Sequence, residues 1–364
     1  MLAASPKMCT RKTSCTCRRA PAVLLSVPPR CAHAAAPNAL KIVSKARPAR
    51  LRDAARRRGR PVSVVRHSAR DAAGRPADST GETRMESCVR DEAPAGSIGC
   101  HVTRHRAGAS QRVVDRVVDE CPVALVFNGI AHTVMMATPI DLDAFGVGFA
   151  LSEGIVERAS DVFDIDTVYR TGSAEVQLTV SQQAFMALKA HRRALAGRTG
   201  CGVCGIESIA QLDLHPPRIA AAGSAADIGA DAVARAARTL PARQTLMHVT
   251  GGIHAAAWCD RDGNVLDVFE DVGRHNALDK LIGCLARRRA DFGAGFVFLS
   301  SRASYELVRK AARVGIPMLA TISAPTSLAI DVAREAGIRL LGFCRNDGFV
   351  EYVSPAATLS TLSR

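Results

Sequence analysis

From about residue 112 onward the apolar positions fall into two rhythms, one of period two and one of period three to four. Residues 122–136 are two apolar, β-rich runs around Asn128-Gly129, a pair that favours a tight hairpin turn. Over 141–156 Leu142, Phe145, Phe149 and Val156 recur at helical spacing, and Asp141 can cap the start. Strand patterns follow at 166–169 and 176–180, then a helix over 181–196. A polar, Ala-rich connection holding Pro216-Pro217 runs from 212 to 228 and marks a boundary. Beyond it, strands are expected at 253–259, 265–271, 296–299, 317–322, 339–343 and 349–353. Helices are expected between them at 274–289, 304–314 and 326–336. The turn Asp262-Gly263 joins the first two strands as a hairpin, so the sheet is mixed, with an antiparallel edge and helices on both faces. The pattern therefore predicts an α/β protein: a smaller module over 109–211, a linker over 212–228 and a larger domain over 229–364. It contains no solenoid-type repeat.

Composition changes the picture mainly at the N-terminus. Residues 1–84 hold 19 Lys+Arg against 4 Asp+Glu, whereas 85–364 hold 29 against 30, so the net charge of +14 belongs to the first stretch. That stretch is Ala, Arg, Pro and Ser without a sustained period. It cannot bury enough apolar area to offset its ordering entropy, and 1–108 is expected to be a disordered basic extension. An acid-poor, Arg-rich start is also what an organelle transit peptide shows, and Met85 is a plausible true start. The remainder is electrically neutral, which argues against nucleic acid as a partner despite a pI near 9.6. No apolar run approaches the ~18 residues of a membrane span. Outside the extension, only Cys201 and Cys204 among the cysteines are closely spaced; the others sit singly in apolar surroundings, as in a reduced, cytoplasmic protein without a disulfide scaffold.

The chemistry concentrates in Arg198-Thr199-Gly200-Cys201-Gly202-Val203-Cys204-Gly205. Three glycines in six residues are too costly for a helix or strand interior, so these thiols are expected on an exposed loop. A drop of about 1.5 units from the ordinary thiol pKa, roughly 2 kcal/mol, makes such a thiol half thiolate near neutrality. Glycine amides and Arg198 are placed to supply it. The spacing by itself admits metal binding, redox cycling or sulfur relay.

Three further clusters fall where an α/β sheet places ligand groups, at strand ends and helix starts. They are 250–256 with Gly251-Gly252 and His254, 269–280 with Glu270, Asp271, Arg274 and His275, and 300–304, which reads Ser-Ser-Arg-Ala-Ser. Amides at the start of the 274–289 helix, with Arg274 and His275, suit a phosphate or other anion, and equally an ordinary helix cap with a salt-bridged face. Near the C-terminus Phe343, Cys344, Arg345, Asn346, Asp347 and Gly348 form a polar turn after a buried strand. Arg, Asn and Asp can read a nucleobase edge or a phosphate and Phe343 can stack on a base; the same residues also make a common Asn-Asp-Gly turn.

The cysteine loop, Phe-Glu-Asp-Val-Gly-Arg-His-Asn-Ala-Leu-Asp-Lys over 269–280, Thr-Gly-Gly-Ile-His-Ala-Ala over 250–256, Ser-Ser-Arg-Ala-Ser-Tyr-Glu-Leu-Val-Arg-Lys over 300–310 and Met-Met-Ala-Thr-Pro over 135–139 together resemble the formate dehydrogenase accessory sulfurtransferase family, FdhD. The resemblance covers about 113–353. It implies a cytidine-deaminase-like fold with a smaller N-terminal α/β module, working as a homodimer. The activity implied is that of a sulfur carrier. It would take persulfide sulfur from a cysteine desulfurase and pass it to the molybdenum bis-guanine-dinucleotide cofactor, bound as substrate, for formate dehydrogenase. Carried over position by position, Cys201 bears the persulfide, Cys204 is the secondary thiol, and 343–348 is the cofactor-binding segment.

Two other classes compete. A zinc-dependent deaminase needs a His-x-Glu pair and a Pro-Cys-x-x-Cys helix start, but here His254-Ala255-Ala256 lacks the carboxylate and Ser300-Ser301-Arg302 lacks the thiols, so no intrinsic metal is expected. A thioredoxin-like dithiol protein sets its first cysteine at a helix start beside an aromatic residue or proline, which the glycine-flanked pair does not match.

Overall fold

The computed structural model describes residues 94–193, 214–345 and 348–354, with the backbone of 88–89. Along the chain run β1 (Cys88–Val89), β2 (Ser97–Arg106), β3 (Ala109–Val118), β4 (Cys121–Phe127), β5 (Ile130–Ala137), α1 (Leu142–Ser152), β6 (Val162–Arg170), β7 (Ser173–Val180) and α2 (Gln182–Arg193). There follow α3 (Ala230–Arg243), α4 (Thr245–Thr250), β8 (His254–Asp260), β9 (Val265–Asp271), α5 (Arg274–Arg287), β10 (Gly295–Leu299), α6 (Tyr305–Val314), β11 (Met318–Thr321), α7 (Ser327–Ala336), β12 (Arg339–Arg345) and β13 (Gly348–Val353). All belong to one compact unit.

The strands make three sheets. A three-stranded sheet has the order β1-β2-β3, and a four-stranded one β5-β4-β7-β6. The Asn128-Gly129 hairpin forms as expected, with both residues at positive φ, and β4 then pairs in parallel with β7. Residues 97–106 correct the sequence reading, which had assigned them to the disordered extension. They pair in unbroken register with β3 through an Ala107-Gly108 turn. The outer half of β2 and most of β3 are exposed on both faces, so the alternation of Ile98, Cys100 and Val102 is too short to mark the pair as strands. Asp141 also departs from expectation. It stands at the start of α1 at φ 53°, and its side chain makes no capping hydrogen bond.

The largest sheet has six strands in the order β13-β12-β11-β10-β8-β9. β10, β11 and β12 are parallel, β9 runs in their direction at the far edge, and β8 and β13 run the other way. This is the mixed sheet with antiparallel edges that the alternation predicts. α3 covers one face, packing Val233, Ala236 and Leu240 on Ala257, Phe296 and Met318, while α5, α6 and α7 cover the other. Part of the expected linker is tucked in, with Ile219, Ala225 and Ile228 buried. Gly263, in the β8–β9 turn, lies so close to α3 that a Cβ would fall 2.0 Å from the Ala232 carbonyl oxygen.

One hydrophobic cluster runs from the four-stranded sheet through α1 into α5 and the large sheet. The crossing of α1 on α5 is set by two glycines. A Cβ at Gly148 would stand 1.7 Å from the Asp279 carbonyl oxygen, and one at Gly283 would stand 1.9 Å from that of Ala144. Backbone thus packs on backbone, which is why glycine occupies two helix interiors where it is otherwise unfavourable.

Candidate functional site at the carboxyl edge of the large sheet

Because β10, β11 and β12 are parallel, the chain leaves all three at one edge, and α6, α7 and the β12–β13 turn begin there. β8 starts and β9 ends at the same edge, since His254 pairs with Asp271 and Ala256 with Leu299. This is where open α/β sheets place ligands. Backbone and serine bonds join the loops. The Ala255 N–H donates to Ser300 Oγ (2.7 Å), the Thr326 N–H to the Ala303 carbonyl (3.0 Å) and the Phe343 N–H to the Ser323 carbonyl (3.2 Å). The 322–326 loop escaped the sequence reading; lying between a strand and a helix is its one signal.

Within the 269–280 run the acids and the lysine serve architecture. Glu270 accepts the N–H groups of Leu246 and Met247 (2.8 and 2.9 Å) and so holds the first turn of α4. The fully buried Asp271 carboxylate lies 2.7 Å from Lys280 Nζ and accepts the Thr138 N–H (3.1 Å), the Gly273 N–H (2.7 Å) and Asn276 Nδ2 (2.9 Å). Lys280 also donates to the Thr138 and Glu270 carbonyls (3.0 and 3.3 Å), and Asn276 to that of Met136 (2.8 Å). The run therefore fastens the segment after β5 to the start of α5.

Arg274 and His275 are left at the first turn of α5, where Gly273 stands at the cap position and offers no side chain. Three buried polar atoms gather at the starts of α5 and α6 without a hydrogen-bond partner among the described residues: Arg274 Nε, His275 Nε2 and the Ser304 Oγ at the α6 cap. His275 Nε2 stands 3.7 Å from Glu306 Oε2, an ion-pair distance too long for a hydrogen bond. The imidazole beside it holds the Glu306 carboxyl down at about 2. His254 is held below its ordinary value by burial and by the neighbouring Arg274 and His275 side chains. Amide groups of two helix starts and unpaired donors in one place suit an anion.

At the far side of the edge, Phe343 is 40% exposed at φ 52°, and Arg345 and Gly348 are exposed as well. β12 stands two strand positions from β10, which leads into α6, and four from β9, which leads into α5, about 10 and 20 Å at ordinary spacing, so this turn and the His275 cluster lie along one edge. Cys344 corrects the sequence reading. Its side chain is 1% exposed in the core under α3, where burial pushes the thiol up to about 11, and it faces away from any ligand at the edge. Asn346, Asp347 and the two principal candidates, Cys201 and Cys204, lie outside the described residues.

The sequence model of the FdhD/NarQ family matches residues 118–358. Among curated proteins, the sulfur carrier protein FdhD of Burkholderia mallei is 65% identical over 263 residues, spanning 71% of this chain and 96% of its own length. The protein of the same name from Chromobacterium violaceum is 63% identical over 266 residues, 72% of this chain and 98% of its own. A solved formate dehydrogenase accessory protein from Desulfotalea psychrophila superposes with a TM-score of 0.53 at 23% identity, covering 71% of this chain and 98% of its own. That likeness speaks to the mixed α/β fold.

Proposed function

This chain belongs to the FdhD/NarQ family, and we propose that it is a sulfur carrier serving a formate dehydrogenase, with Cys201 as the residue that holds the sulfur. The Cys201 thiolate attacks the outer sulfur of a cysteine persulfide on a desulfurase. A new S–S bond forms at Cys201, the donor's S–S bond breaks, and the donor cysteine leaves as thiolate. At delivery, the Cys204 thiolate attacks the Cys201 sulfur, and the outer sulfur leaves as sulfide to the molybdenum bis-guanine-dinucleotide cofactor, the acceptor substrate. The pair is left as a disulfide, so the two thiols supply the two electrons, and a cellular dithiol resets it. The carrier acts as a cytoplasmic homodimer.

One observation above all supports this reading. Arg274 Nε, which has no hydrogen-bond partner among the described residues, and His275 Nε2 and Ser304 Oγ beside the Glu306 carboxylate share an edge with the exposed Phe343 and Arg345. An acceptor with guanine bases and several phosphates asks for cationic donors at helix starts and an aromatic face. The test incubates full-length protein with a cysteine desulfurase and ³⁵S-cysteine. Wild type and Cys204→Ser are expected to retain label released by dithiothreitol, and Cys201→Ser to retain none. Labelling of Cys201→Ser at the wild-type level would remove Cys201 from its role.

A further inference from the structure

α5 and α6 start at the carboxyl edge, and at their other ends they enclose a second concavity. The end of α1, the start of β6 and the last turns of α5 and α6 line a groove of about 820 Å³. Val147, Leu151, Val156 and Phe292 give it an apolar floor, while Arg158, Arg287, Arg289 and Arg313 lie around it against the carboxylates of Glu157 and Asp164. Arg313 is engaged by Glu157 at 2.6 Å, and Arg287 stands 3.9 Å from Asp143. The Arg158 N–H donates to Asp161 Oδ2 (3.1 Å), while the guanidinium groups of Arg158 and Arg289 form no salt bridge among the described residues.

Two irregularities converge on this groove. α4, α6 and α7 each end on a glycine in the left-handed region: Gly251, Gly315 and Gly337. α5 ends in the same manner, with the Arg289 N–H donating to the Ala286 carbonyl and the Ala290 N–H to that of Leu285, both at 3.0 Å. Yet the left-handed residue there is Arg289, at φ 56°, where a Cβ is penalised and glycine is not. The second irregularity lies on β6, the outer strand of its sheet. The ladder slips between Val162 and Asp164, leaving Phe163 without a cross-strand partner and 67% exposed beside the groove. Bulges on outer strands re-aim side chains in this way.

From this geometry we infer that the groove docks an acidic segment of a partner protein, one in which carboxylates flank an apolar side chain. The carboxylates face Arg158 and Arg289, and the apolar side chain meets Phe163 and the floor. A single inorganic anion would leave most of the space empty, since a water's share of volume is about 30 Å³. α5 spans about 20 Å from Arg274 to Arg287, so a partner held here leaves the carboxyl edge open. The inference does not depend on Cys201 carrying sulfur.

The test selects a random twelve-residue peptide library on the full chain and measures recovered peptides by fluorescence anisotropy. Recovered peptides are expected to carry carboxylates around an apolar residue. They should bind the Arg158→Ala/Arg289→Gly variant about tenfold more weakly, and lose affinity as salt rises. Arg289→Gly alone should unfold at the same or a higher temperature than wild type, which separates lost contact from lost fold. Recovery of peptides without carboxylates, undiminished binding to the double variant, or displacement by phosphate at matched ionic strength would overturn the proposal. So would conversion of a self-associated wild type to monomer by Phe163→Asp, which would assign the groove to a second copy of this chain.

Discussion

Replacing Lys280 by methionine tests how the segment after β5 is fastened to the start of α5. The substitution keeps an unbranched stem, one atom shorter, and removes the amino group that is buried to the last atom and lies 2.7 Å from Asp271 Oδ2. The Thr138 and Glu270 carbonyls lose a donor at the same time. Breaking a buried pair from one side costs about 3–5 kcal/mol, because the surviving charge stays buried without its partner. Asp271 keeps three donors, the Thr138 and Gly273 N–H groups and Asn276 Nδ2, so the loss should lie near the lower end, about 3 kcal/mol. The measurement is urea unfolding at pH 7 followed by fluorescence of Trp258. It is the chain's single tryptophan and only 5% exposed. With a slope of about 3 kcal/mol per molar urea, the midpoint should fall by about 1 M. Asp271→Asn combined with Lys280→Met should recover part of that loss, since no unpaired charge remains. A loss below about 1 kcal/mol, or a double variant no more stable than the single one, would refute the reasoning.

Four further outcomes follow from the same structure. Gly283→Val drives a branched side chain into the Ala144 carbonyl and should lower stability by about 3 kcal/mol or abolish folding, read as soluble yield and urea midpoint. Glu153 is raised by burial but more strongly lowered by Lys310 and Arg309, ending at about 2. Its folded pKa thus lies below its unfolded value near 4.3. The stability it lends, about 2 kcal/mol, is present above that value and lost as pH falls toward 2, so wild type and Glu153→Gln should converge in acid unfolding. Arg345→Ala and Arg274→Ala should each weaken binding of guanosine diphosphate about tenfold by calorimetry at unchanged melting temperature; unchanged affinity in both would remove the edge as a nucleotide site. Burial raises the thiols of Cys344 and Cys259, so neither should be alkylated by iodoacetamide at pH 7.5 unless the protein is first unfolded, as peptide mass spectrometry would show.

What could be read in advance depended on how local the determining physics is. The hairpins at Asn128-Gly129 and Asp262-Gly263 were legible because a two-residue turn with positive φ selects its own residue types. The strands of the large sheet and the helices α5, α6 and α7 were legible because the apolar runs are dense, whereas α3, which covers the other face, and α4 were not foreseen. β2 and β3 were not, since much of the pair is exposed on both faces and only Ile98, Cys100 and Val102 write an alternation into the chain. The edge cluster was half legible. Gly273-Arg274-His275 after a strand marks a helix start that suits an anion, and Arg274 and His275 do stand there, His275 facing Glu306.

The amino-acid sequence alone carried most of the order of elements from β4 onward, the mixed α/β architecture and the motifs that belong to the family, because periodicity, turn chemistry and ordered runs of residues are properties of neighbours along the chain. Only the tertiary structure decided what the charged groups do. Asp271 meets Thr138, and Lys280 meets the Thr138 carbonyl, across 133 and 142 positions, and no local pattern announces such a partner. The same holds for Arg289. Its strained φ and its place on an arginine-rich groove arise from how α5 and α6 end against β6, which is a matter of packing between segments far apart in the chain.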